Sequence, residues 1–194
     1  MDIQGIQKIV QTGLFSLANS LASYWPAYGR DDITERNLSA HVGSAFLNNG
    51  FDVYFEVPIS EEDKTNKIDC VFLSYEHKLC IVCESKRLIG VGKAQEIIDD
   101  IERIHKFKLQ KEQGIDIKSY YGLILAYTWK EDITKWWISE ENTDEFEEKD
   151  SRWRELSKSL KNVESDAITL YHEPKHDVVK ALYAIWQHPR SQNK

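Results

Sequence analysis

The residues of this chain best suited to chemistry are three charged side chains on two short apolar runs. Residues 67–87 read KIDCVFLSYEHKLCIVCESKR. The first run carries Asp69, the second ends in Glu84-Ser85-Lys86, and Glu76 and His77 lie between them. Both runs have the length and composition of strands, so together they read as a hairpin. Side chains alternate faces along a strand. Cys80, Val82, Glu84 and Lys86 therefore share one face of the second strand, and Ile81, Cys83, Ser85 and Arg87 share the other. Charges at the end of an apolar strand are costly to bury unless they are paired or hold a metal. Asp69, Glu84 and Lys86 brought together would offer two hard oxygen donors and an ammonium group. That set suits Mg²⁺ or Mn²⁺, which typically takes one or two carboxylates plus substrate phosphates. The competing reading is a buried ion pair, Glu84 with Lys86.

Elements on either side must position this hairpin. Ile3, Ile6, Val10, Leu14, Leu17 and Leu21 recur at helical spacing and predict an N-terminal helix over 3–24. A second helix is expected over 32–48, with Ile33, Leu38, Val42, Ala45 and Phe46 as its apolar stripe and Asn49-Gly50 as its stop. Residues 51–59 read as a strand, at an edge or ending at Pro58. After the hairpin, Ile97, Ile98, Ile101 and Ile104 mark a long helix over about 92–112. Residues 120–129, YYGLILAYTW, form a run suited to a strand buried on both faces and parallel to its partner. The last third is expected to hold a short helix near Trp136-Trp137, a helix over 153–160, a strand over 168–172 and a final helix over 175–187.

The order helix, three strands, helix, strand, with Ile68-Asp69, 14 intervening residues and Glu84-Ser85-Lys86, resembles the signature of the PD-(D/E)XK nuclease superfamily. Ile68 stands where that signature has proline. The resemblance covers about residues 32–130. It implies an α/β, restriction-endonuclease-like α-β-β-β-α-β core with a mixed central sheet flanked by helices, plus an N-terminal helix and a helical C-terminal extension. A single domain over 1–194 is expected, with the helix in 1–30, the core in 32–130 and the extension in 131–194.

The resemblance also implies metal-dependent hydrolysis of phosphodiester bonds, with DNA cut internally. Asp69 and Glu84 would hold the metal, and the Ser85 backbone carbonyl would be a third ligand. Lys86 would orient the attacking water and stabilise charge on the phosphate. Two nearby carboxylates would keep it protonated. Family members often bring an acid from the helix before the hairpin, which points to Glu35 as a further catalytic residue. Asp32-Ile33-Thr34-Glu35 also has capping-box spacing, in which Glu35 would only reach back to a backbone N–H. Arg87 and Lys93 flank the motif and are candidate phosphate contacts. Gln95 is a substrate-binding candidate, because some members use a glutamine there. Arg103, Lys106 and Lys108 continue the basic cluster, and their expected place is a solvated helix face.

A net charge of −7 argues against broad, non-specific nucleic-acid binding and leaves room for a local basic cleft. Three cysteines without framework spacing point to a reducing, cytoplasmic setting. No run approaches the roughly 18 apolar residues a membrane span needs. Two-strand cleavage by a one-site subunit would favour a homodimer. Residues 172–176, HEPKH, match the H-E-x-x-H zinc-protease pattern, but Pro174 opposes the continuous helix that pattern requires. Cys80 and Cys83 have zinc-knuckle spacing, yet on a strand they face opposite sides, so buried thiols are expected. The acidic run over 140–150 reads as a solvated loop. The reading from another class is a catalytically inactive protein on the same scaffold, binding a partner through its tryptophan-rich C-terminal region.

Overall fold

A computed structural model describes residues 1–25, 33–109, 116–138, 148–171 and 178–188. The HEPKH segment, Asp32 and most of the acidic run lie outside these. The chain begins with α1 (Ile3–Ser23), whose apolar stripe of Ile6, Ile9, Val10, Leu14, Leu17 and Leu21 is buried. Its N-cap, Asp2, accepts the Gly5 N–H at 2.9 Å. Helix α2 (Glu35–Asn48) buries Leu38, Val42, Ala45 and Phe46. The two helices meet at Gly13, where a Cβ would lie 2.6 Å from Val42 Cα.

The strands form one six-stranded mixed sheet in the order β1-β2-β3-β4-β6-β5. They are β1 (Asp52–Pro58), β2 (Lys67–Ser74), β3 (Leu79–Arg87), β4 (Ser119–Thr128), β5 (Glu164–Tyr171) and β6 (Val179–Gln187). The β2–β3 hairpin turns over residues 75–78, with Lys78 in the left-handed region at φ 53°. Strands β3 and β4 are parallel, from Leu79↔Ser119 to Arg87↔Tyr127. Helix α3 (Val91–Lys106) makes the crossover between them. Every other pairing is antiparallel.

Helices cover both faces. On one, α1 and α2 pack on Cys70, Phe72, Ile81, Cys83, Leu123 and Leu125. On the other, α3, α4 (Glu131–Ile138) and α5 (Ser151–Ser159) pack on Val71, Cys80, Val82, Ile124 and Ala126. Cys80 and Cys83 thus enter opposite layers, and all three cysteines are buried and free. Burial pushes the Cys70 thiol up to about 12. No described helix is long and apolar enough to cross a membrane.

The C-terminal expectation needs correction. Where a helix was expected over 175–187, the described residues Val179–Gln187 form strand β6, inserted between β4 and β5. Val179, Ala181, Tyr183 and Ile185 enter the α1–α2 layer, while Leu182 and Ala184 enter the other. A strand buried on both faces gives a continuous apolar run, which periodicity does not distinguish from a buried helix. Gly122 of β4 fits the insertion, because a Cβ there would lie 2.2 Å from the Trp186 ring. Trp136, Trp137 and Trp153 are buried, with Trp136 edge-on to both others. Their rings join α4 to α5 within the α3-side layer.

Candidate active site

The candidate site lies where the hairpin opens. The β2–β3 ladder ends at the pair Cys70↔Cys83, so the strands part at Asp69 and Glu84. Beyond that point β3 keeps its β4 neighbour and loses its β2 neighbour. The N–H groups of Ser85 and Arg87 point to the vacated side, and backbone donors there need other acceptors. Carboxylates supply them. Asp69 Oδ2 accepts from Ser85 N–H at 2.8 Å, and Glu35 Oε1 accepts from Arg87 N–H at 2.7 Å. Two acids from different elements are thereby fixed at one strand end.

Glu35 does not close a capping box. It opens α2, whose N-cap is Thr34 without a side-chain cap bond, and it reaches across to β3. Two further bonds hold α2 there. Ser39 Oγ lies 2.6 Å from Ser85 Oγ in a buried contact, and the Tyr127 hydroxyl donates to the Ile33 carbonyl at 2.5 Å.

Glu84 and Lys86 face α3. Glu84 is 1% exposed, and its Oε1 receives Arg103 Nε at 3.1 Å. Arg103 also bonds Asp100, an equally buried acid on the same helix. Lys86 Nζ stands 3.3 Å from Asp100 Oδ2 and 4.0 Å from Glu96. Burial, then the neighbouring Asp69 and Asp100, push the Glu84 carboxyl up to about 8 against the pull of Arg103. Burial likewise raises Asp100 to about 6, opposed by Lys86 and Arg103. Burial alone would lower the Lys86 pKa, but Asp100, Glu35 and Glu84 outweigh it and raise the value. Lys86 is therefore held as an ammonium.

Asp69, Glu84, Lys86, Glu35 and the Ser85 backbone thus gather at one end of β3. The flanking candidates sit differently. Lys93 Nζ is bound by both oxygens of Glu96 at 2.7 Å. The Gln95 amide donates to Asp99 at 3.0 Å along the outside of α3. Arg87 meets the site through its backbone N–H. Arg103 departs from expectation: it is not on a solvated face but pairs with Glu84 and Asp100. Asp100 is a site residue to which the motif does not point, yet the sequence carries a signal for it. It lies three residues after Ile97 and four before Ile104, on the apolar stripe of α3, and a charge on such a stripe needs a partner across the interface.

Among the described residues, no three His, Cys, Asp or Glu side chains form a ready-made metal cage. The donors present still fit a hard cation. They are all oxygens, and burial, then neighbouring acids, raises the Glu84 and Asp100 carboxyl pKa values, which a divalent charge would bring down.

No family model, curated protein or solved structure matches this chain.

Proposed function

We propose that this protein is a metal-dependent nuclease that cuts DNA internally, and that α2-β1-β2-β3-α3-β4 is its restriction-endonuclease-like PD-(D/E)XK core. One observation carries the reading: the hairpin opens at Asp69 and Glu84, and two carboxylates, a strand end and a charged lysine meet in the opening. Asp69, Glu84 and the Ser85 carbonyl are the groups that would hold Mg²⁺ or Mn²⁺. The cation would supply a Lewis acid for the scissile phosphate and a bound water of lowered pKa. The chain's own groups do the rest. Lys86, kept protonated, stabilises the charge that grows on the phosphate and orients the incoming water. Ser85 N–H and Arg87 N–H hold Asp69 and Glu35 in fixed orientations, so little reorganisation accompanies reaction.

A catalytically inactive scaffold is the second reading, favoured by Arg103, whose guanidinium already occupies Glu84 Oε1. Metal binding and cleavage separate the two. Circular plasmid, linear duplex and single-stranded DNA are incubated with Mg²⁺, Mn²⁺ or EDTA, beside Lys86→Ala and Asp69→Asn. Metal-dependent nicking of the circle, lost in both variants, is the expected result. A folded protein that neither cuts nor binds Mn²⁺ would establish the inactive scaffold.

A further inference from the structure

A cavity of about 570 Å³ opens between α2 and the β1–β2 pair, lined by Glu35, Arg36, Ser39, Phe55, Glu56 and Asp69. That volume is in the range of small-ligand sites. Phe55 is out of place among these polar groups, because an aromatic residue there is 52% exposed. Single exposed aromatics are ordinary on protein surfaces. This one differs in how it is seated. β1 pairs Phe55 with Cys70, the residue beside Asp69. The ring tip rests over Gly43 of α2, where a Cβ would lie 3.2 Å from Phe55 Cζ. The missing side chain at Gly43 makes the seat, and one face of α2 fixes the ring beside Glu35 and Asp69.

The backbone adds a second observation. Glu56 follows Phe55 at φ 55°, a left-handed value that costs a non-glycine residue about 1 kcal/mol or more. The β1–β2 ladder passes from Phe55↔Cys70 to Val57↔Ile68 without pairing Glu56 to Asp69. Strain of this kind, at an irregularity in β1 next to a half-exposed ring and a carboxylate of the candidate site, is often found where a strand faces a ligand. Arg36 stands at the same cavity. It is 90% exposed, and its contact with Glu56 is long at 3.9 Å.

We propose that Phe55 is a stacking platform for one unpaired nucleobase beside the scissile phosphate, with Arg36 reaching an adjacent phosphate. The cleft would then take single-stranded or locally unpaired DNA. The inference rests on the nuclease reading and narrows its substrate. A base inside a duplex already has neighbours on both faces, so an aromatic ring can take only one that is unpaired or extruded. The three acids of the lining repel a phosphate that lacks a cation, which leaves Arg36 and a bound metal as its places and the Phe55 ring as the place for the base.

The test uses a short single-stranded DNA carrying 2-aminopurine, and the same sequence as a duplex, with Ca²⁺ replacing Mg²⁺ to prevent cleavage. The wild type is expected to bind the single strand more tightly and to quench the probe. Phe55→Ala should weaken single-strand binding about tenfold and lose the quenching, while Phe55→Trp retains both. Both variants should still melt cooperatively as folded proteins and keep wild-type Mn²⁺ binding, which separates the platform from fold and metal site. Phe55→Ala binding and quenching like the wild type would overturn the platform. So would tighter binding of the duplex by the wild type. If duplex is nonetheless cut in a metal-dependent way that needs Asp69, the nuclease reading stands and only the platform falls. If the folded wild type binds neither strand, both fall.

Discussion

At the scale of single residues, the cluster around Glu84 is an electrostatic compromise with a measurable pH signature. Glu84 holds its proton to about pH 8 in the fold, against an ordinary value near 4.5. Between those values the folded chain carries a proton that the unfolded chain has released. Stability is therefore greatest at the acid end of that window and declines as pH rises, with the loss complete above about 8. One such group contributes at most about 1.4 kcal/mol per pH unit. Asp100 acts in the same direction up to about pH 6. Glu84→Gln removes the larger of these contributions. Melting temperatures at pH 5 and pH 9 should fall less between the two conditions for the variant than for the wild type. Parallel behaviour would mean that Glu84 is ionised in the fold and that Arg103 outweighs burial.

At the scale of elements, the site depends on how closely α2 is held to its neighbours. Glu35 and Ser39 reach β3 only because α2 lies tight on the sheet, and α1 presses it there at Gly13. Replacing glycine by alanine inside a helix is normally favourable by about 1 kcal/mol. Here the new methyl would lie 2.6 Å from Val42 Cα and close to the His41 carbonyl, both backbone atoms that a rotamer change cannot relieve. The helices must part, and overpacking of this kind typically costs about 1–3 kcal/mol. The clash outweighs the helix gain, so Gly13→Ala should lower the urea midpoint. A midpoint at or above wild type would show that α1 and α2 can separate freely. The same rigidity bears on the candidate site, since a shift of α2 moves Glu35 away from the Arg87 N–H.

At the scale of the whole molecule, the sheet separates two apolar layers, and the three thiols are divided between them. Cys80 lies on the α3 side, and Cys70 and Cys83 on the α1–α2 side. Burial raises all three thiols above their ordinary pKa. The thiolate is the reactive form. The native protein should therefore resist a thiol reagent such as DTNB at pH 8, and all three cysteines should react together on unfolding in urea. Fast reaction of one thiol in native buffer would mean that one layer opens independently of the other.

What could be read from the chain alone is what depends on near neighbours in it. Alternation over 79–87 puts Glu84 and Lys86 on one face and Ser85 on the other, and the fold keeps that division because a strand allows nothing else. The stripes of α1, α2 and α3 follow equally from helical spacing. Contacts between distant segments were decided only by tertiary structure. Arg103 lies 19 residues from Glu84, and nothing local distinguishes a partner of a buried acid from one more surface cation. Glu35 could have capped its own helix until β2 parted from β3 and left the Arg87 N–H needing an acceptor. Residues 179–187 carry an apolar run that either helix or strand could bury, and the vacant edge of β4, with Gly122 making room for Trp186, made it a strand.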